Sequence, residues 1–446
     1  VPARRRGDPG SGRPEPVIAD APPPSHVAIQ PPDFRYLRPR LKVKEGQKVK
    51  LGTPLFESKD DPRVVFVALG GGKVSEVRRG KRRRILDVVV ELDKDEEVED
   101  FGALKPEEAR KLGRKDVIDR LLKGGLWPLL NQRPFSCVPN PDDEPKAFFV
   151  GGTAREPWCP DPDVVLEGKE EDFQLGLDIL KKLTAGKTYL CVSADAKCKA
   201  LTEARGVELR RFTGPHPAGN IAVQVYHIDP PDGKETVWYI KSQDVLTVAR
   251  FFKTGRLPVE RIVSVCGPSV KEAERRYYRT RLGASVESLT KGKLVEGDLR
   301  HISGGVLTGR QVPADGFLGL RETTMYVLPE GRNRELLSFV RPGFEKYSLS
   351  RSVVSSFIPG GSHVLDTNCC GGLRNFVMTG IYEDVCAVDI IPEQLAKSVI
   401  AGDLEEAEKH GILDCAECGL CTFICPSDIE IADVIERGLA QIRKGV

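Results

Sequence analysis

Near one end of the chain, Cys415-Ala-Glu-Cys418-Gly-Leu-Cys421-Thr-Phe-Ile-Cys425-Pro426 follows the spacing C-x2-C-x2-C-x3-C-P without a gap. Bacterial iron–sulfur proteins use this run to hold a cubane. Two-residue spacings let one tight loop offer three thiolates to three irons, and Pro426 is expected to end the loop and open the next helix. Zinc is the other chemistry open to four thiols, but it favours two separated C-x2-C pairs. The run therefore points to a [4Fe-4S] cluster.

The fourth ligand is a separate question. In two-motif ferredoxins the cysteine before Pro serves the other motif's cluster. By that logic Cys415, Cys418 and Cys421 take a remote thiolate, and Cys386 in EDVCAVDIIP is the candidate, with Ala387 where the motif has Pro. The three cysteines a second motif needs before Cys386 are missing from GGLRNFVMTGIYED, and the adjacent Cys369 and Cys370 are poorly placed to reach two irons. The expected site is one [4Fe-4S] cluster on Cys386, Cys415, Cys418 and Cys421. Cys425 is a spare, or the alternative fourth ligand.

Seven of the 12 cysteines fall between Cys369 and Cys425. The opening VPARRRGDPGSGRPEP has no apolar h-region, so no secretory signal is expected, and metal or redox use of the thiols is favoured over disulfides. Cys137, Cys159, Cys191, Cys198 and Cys266 are isolated. Cys191 and Cys266 lie in apolar strands and read as buried small hydrophobes. His216, in F-T-G-P-H-P-A-G-N, sits in a loop stiffened by two prolines. Without a carboxylate or Ser/Cys partner it reads as structural, and no catalytic acid–base set is visible.

At 446 residues the chain has room for roughly three domains, each with its own core. Its 67 Lys+Arg nearly cancel 65 Asp+Glu, which argues against a dedicated nucleic-acid binder. The basic run Arg78-Arg79-Gly80-Lys81-Arg82-Arg83-Arg84 lacks interleaved aromatics and reads as a solvated hairpin or a patch facing acidic protein or lipid. Mean hydropathy is −0.28, and no apolar stretch approaches the length of a membrane span.

Residues 1–32, rich in Arg, Gly and Pro, predict an extended arm rather than helix or sheet. From Leu41, short apolar-alternating segments broken at Gly46 and Gly52 predict a small all-β unit. Between Glu99 and Gly255, strand-like KAFFVGG, KTYLCVSAD, GVELRRF and NIAVQVYHI alternate with helical DFQLGLDILKKLTAG and SQDVLTVARFFKTG, predicting an α/β layer. KAFFVGG continues as TAREPW rather than G-x-G-x-x-G, so NAD binding is not expected there. A compact β unit with one short helix follows from Glu260. The last hundred residues turn helical, with Ile431, Val434, Ile435, Leu439 and Ile442 on one helix face.

V-K-E-G-Q-x-V-K-x-G-T-P-L-F followed by G-G-K-V-S-E-V resembles the biotinyl/lipoyl barrel-sandwich family. The flanks of Lys59, the formal carrier position, do not match that family's modified lysine, so the resemblance implies the fold and not the carrier function. Across nearly the whole chain, RRRGDPGSGRPEPVI, GLWPLLNQRP, TGPHPAGN, ERIVSVCGPSVK, ISGGVLTG and LCTFICPSDIE stand in the order and spacing of another family. The chain resembles the A subunits of sodium-translocating NADH:quinone reductases. That resemblance implies a multidomain α/β fold: an arm (1–32), a barrel-sandwich hybrid (33–98), a Rossmann-like α/β domain (99–258), an SLBB-type β-grasp unit (259–335) and a helical, ferredoxin-like C-terminal domain (336–446). It implies a peripheral subunit on the cytoplasmic face of the cell membrane. The arm would contact a membrane-embedded partner of a complex that passes electrons from NADH through flavins and iron centres to ubiquinone and exports Na⁺. Such subunits usually lack the full cysteine run, which this chain keeps. Two alternatives remain: the C subunit of the related Rnf complex, which carries two complete cysteine motifs, and a non-catalytic docking scaffold with empty cysteines.

Overall fold

The computed structural model describes residues 12–154, 156–332, 342–344, 353–358, 364–368, 375 and 380–445. Cys369 and Cys370 lie outside the described residues, as do residues 1–11 of the arm.

Alternation of apolar residues with Gly turns builds the first unit. One sheet orders His26–Ile29, Ile85–Leu92, Gly72–Arg79 and Lys48–Val49, and a second holds Pro39–Leu41, Pro54–Ser58 and Val65–Val67. Val27, Ile29, Val74, Val88 and Val90 point inward from the first sheet. The Phe56 and Phe66 rings stack on each other at 4.6 Å between centroids, sealing the second. Lys59 is exposed just after Pro54–Ser58. The expected arm is in part sheet: Glu15–Asp20 runs parallel beside Arg276–Arg281, and His26–Ile29 pairs with Ile85–Leu92. Pro-rich composition hid this because the other prolines flank the strands, and Pro16, inside Glu15–Asp20, falls where the register of this edge strand shifts between Glu15 and Ile18, so its missing N–H costs no ladder bond.

The α/β layer places Ala147–Gly152 at its centre. The order is Glu208–Phe212, Lys187–Ser193, Ala147–Gly152, Val237–Lys241, then antiparallel Asn131–Arg133 at the edge. Phe148, Val150, Leu190, Val192, Trp238 and Ile240 face the helices Glu170–Leu180 and Ser242–Thr254, the latter ended by left-handed Gly255. Phe149, Tyr189, Cys191, Val237 and Tyr239 face the other way, onto Ile221 and Val225. NIAVQVYHI is therefore corrected from strand to helix, Ile221–Ile228, capped by the Asn220 side chain accepting from the Ala222 N–H. One side of this helix meets the sheet, and Ala222, Val223 and Tyr226 on the other meet the C-terminal domain. Burial on two sides erases the amphipathic period that would have announced a helix.

The third unit is a six-stranded sheet in the order Glu15–Asp20, Arg276–Arg281, Glu260–Cys266, Thr324–Pro329, Leu299–Ser303, Arg310–Val312, with the short helix Val286–Thr290. In the fourth, Pro392–Ala401, Leu404–Lys409, Leu420–Ile424 and Ile431–Gly445 enclose Leu395, Ile412 and Leu439, all 0% exposed. The five residues expected on one face of the last helix are all buried there. Pro426 does not open that helix, which begins at Ile431.

Candidate metal centre

The cysteine run folds as a loop carrying Cys415 and Cys418, then the short helix Leu420–Ile424 carrying Cys421. Two left-handed residues make the turn: Glu417 at φ 52° and Gly419 at φ 77°. A Cβ at Gly419 would stand 2.4 Å from the Leu307 carbonyl oxygen, so backbone conformation and close approach both demand glycine.

Of the four thiols expected as ligands, Cys415, Cys418 and Cys386 lie close enough to Cys421 to oppose its ionisation, and Cys386 does the same to Cys418. All four are half-buried. Cys425 is placed differently: its Sγ is buried, 3.2 Å from the Tyr382 hydroxyl, and it accepts the Ile429 N–H at 3.4 Å. Burial pushes the Cys415 thiol up to about 12 and Cys418 up to about 11, and raises Cys386 and Cys421 as well. Left alone these groups stay protonated, and a bound metal supplies the charge that makes them thiolates. The Glu383 carboxylate also opposes ionisation of Cys421, and its buried Oε2 has no hydrogen-bond partner among the described residues. Four soft, half-buried thiol donors on neighbouring segments of one small domain fit an iron–sulfur centre. Among the described residues no three His, Cys, Asp or Glu converge on one metal ion. A cubane has no need of such convergence, because each cysteine binds its own iron.

The α/β layer grips this loop. Arg133, 3% exposed at the end of the edge strand, donates from Nη2 to the carbonyls of Leu413 (2.9 Å) and Cys415 (2.6 Å). Its Nη1 reaches Glu417, which also pairs with Arg35 and accepts from Ser136 Oγ at 2.9 Å. Burial opposes ionisation of Glu417, but Arg35, Arg133 and the hydrogen bonds overcome it and hold the carboxyl below its usual range. Asn220 Nδ2 donates to the Ala416 carbonyl at 3.1 Å, and His216 Nε2 to that of Cys418 at 3.4 Å. On the helix that follows, His227 Nε2 donates to the Ala387 carbonyl at 3.0 Å, beside Cys386. His216, expected as a structural loop residue, contacts the cysteine loop. Arg133, Asn220 and His227 carried no signal in their own neighbourhoods. Glu417, a charge inside C-x2-C, was the one visible hint.

Cys191 and Cys266 are fully buried strand residues, with burial raising both thiols to about 12, in keeping with inert packing. No helix among the described residues is long and apolar enough to cross a membrane.

Four family models match along the chain: the NqrA N-terminal barrel-sandwich hybrid domain over residues 9–93, the NqrA second alpha/beta domain over 112–257, the NQRA C-terminal domain over 262–314, and a 4Fe-4S dicluster domain over 382–430. The A subunit of the Na(+)-translocating NADH-quinone reductase of Neisseria meningitidis serogroup C is 39% identical over 439 residues, covering 98% of this chain and 97% of the relative. Its counterpart in Yersinia pseudotuberculosis serotype O:1b is 38% identical with the same coverage. Among solved structures, an NAD+-reducing [NiFe]-hydrogenase aligns at a TM-score of 0.38 and 11% identity over 76% of this chain and 66% of its own, too remote to bear on function.

Proposed function

The chain belongs to the family of Na(+)-translocating NADH-quinone reductase A subunits, and from that premise we propose that it is a peripheral subunit of such a reductase bearing one [4Fe-4S] cluster. The cluster is held by Cys386, Cys415, Cys418 and Cys421. What supports this ligand set is that Cys386 lies close enough to Cys418 and Cys421 to oppose their ionisation, while Cys425 is buried against Tyr382. Residues 382–430 hold five cysteines, fewer than the two sets of four that two cubanes need. When bound, the cluster supplies one-electron transfer. The chain's part is to hold the four thiols at the junction of the helical and α/β units and to keep the loop rigid through Arg133, Asn220 and His216.

The complex, in this reading, reduces ubiquinone with electrons from NADH passed through flavins, and exports Na⁺. This chain sits on the cytoplasmic face, held by partners, with its arginine-rich start contacting a membrane-embedded protein of the complex. It supports quinone reduction rather than NADH oxidation. The turn after Ala147–Gly152, TAREPW, lacks the glycines that let a backbone approach a pyrophosphate. The matches of the first three units to NqrA domains favour this reading over an Rnf-type C subunit.

Anaerobic reconstitution with iron and sulfide assays and EPR after reduction tests the cluster. Four irons per chain are expected, lost in Cys386→Ala and retained in Cys425→Ala. Zinc in place of iron overturns the cluster, and an unchanged spectrum in Cys386→Ala overturns the ligand set. Micromolar NADH binding by the purified chain would sink the assignment to the quinone side.

A further inference from the structure

We propose that Arg133, balanced by Glu417, is a positioning residue that sets the reduction potential of the centre held by the cysteine loop, so that the α/β layer, and not the helical domain alone, tunes the electron carrier. The inference rests on the cluster reading above and adds to it a residue 282 positions upstream of the Cys415 carbonyl that it grips.

Three observations converge. First, Arg133 is buried, and its guanidinium reaches the main chain on both sides of Asp414, at Leu413 and Cys415. Nη2 donates to both carbonyls while Nη1 turns to Glu417, and the planar guanidinium fixes these directions together as a flexible ammonium cannot. Second, the same guanidinium pairs with Glu417, the residue between the first two cysteines, and Ser136 Oγ holds both. Third, Arg35 reaches Glu417 from the barrel-sandwich unit while also facing the exposed Glu436 at 3.7 Å, so Glu417 is shared by two cations. A charge buried beside a redox centre acts in a medium of low dielectric and is weakly screened. Adding an electron makes a four-thiolate cubane more negative. The Arg133 charge therefore favours the reduced form, and the Glu417 charge opposes it.

The test is EPR-monitored redox titration of the full chain with its cluster, in wild type, Arg133→Gln, Arg133→Lys and Glu417→Gln, with iron and sulfide content measured in each. Arg133→Gln should lower the reduced-to-oxidised ratio at the wild-type midpoint about tenfold, equivalent to about 59 mV for one electron. Glu417→Gln should shift it the opposite way, and Arg133→Lys, which keeps the charge, should fall near wild type. A residue that merely braces the loop would change iron content without opposed shifts in potential. If Arg133→Gln fails to assemble a cluster, the upward shift in Glu417→Gln decides alone. Coincident potentials with full iron overturn this inference only, whereas a wild-type chain without iron overturns the cluster reading itself.

Discussion

Arg261 and Asp244 are each 1% exposed and stand 2.7 Å apart, joining the strand Glu260–Cys266 to the helix Ser242–Thr254. Arg261 Nη2 also donates to the Leu320 carbonyl at 3.4 Å, while Nε and Nη1 find no hydrogen-bond partner among the described residues. Such a pair adds little net stability, because desolvating both charges offsets most of their attraction. Breaking it is another matter. Asp244→Ala should destabilise the chain by about 3–5 kcal/mol, since it leaves a guanidinium buried without its counter-charge. Urea unfolding followed by tryptophan fluorescence, with Trp127 and Trp238 in the adjoining core, reads this directly. An unchanged midpoint would mean that water reaches Arg261. Neither residue advertises its role in the sequence: Asp244 looks like an ordinary first-turn acid, and Arg261 follows Glu260 at the polar start of an otherwise apolar strand.

Elements divide by how many sides they bury. The terminal helix Ile431–Gly445 has one apolar face and one polar one, so its period was readable from the residues alone. Its Leu439 is 0% exposed among Val399, Ile412 and their neighbours in the helical domain. Leu439→Ala should cost about 2–5 kcal/mol through the cavity it leaves. The loss should appear as faster amide exchange over 380–445, with the α/β sheet still protected. Uniform loss across the whole chain would show that the helical domain does not open separately. The helix Ile221–Ile228 is the opposite case. Its β-branched, apolar-all-round sequence reads as strand, and only the domain packed on its far side explains why it is helix.

For the molecule as a whole, the N-terminal segment ties two units together. Glu15–Asp20 completes the β-grasp sheet at its edge, and His26–Ile29 enters the barrel-sandwich a few residues later. Removing residues 1–20 should expose Arg276–Arg281 as an open edge, a template for pairing with another chain. The expected result is a lower thermal midpoint and concentration-dependent association, seen by light scattering. A monomeric truncated chain of unchanged midpoint would show that the strand contributes nothing.

Local chemistry was legible in the sequence wherever it is local in space. The spacing of Cys415, Cys418 and Cys421, the glycine breaks of the barrel-sandwich and the apolar face of the last helix depend on neighbours a few residues away, and the sequence by itself determined them. The tertiary structure decided what depends on distant chain segments: Cys386 brought close enough to Cys418 and Cys421 to oppose their ionisation, Cys425 turned into the core against Tyr382, and a cradle of Arg35, Arg133, Asn220 and His216 around the cysteine loop. The physical reason is that hydrogen bonds and buried charges act over a few ångströms of space whatever the separation along the chain. A solitary Arg on an edge strand therefore gives no sign of the carbonyls it will meet until the domains are packed.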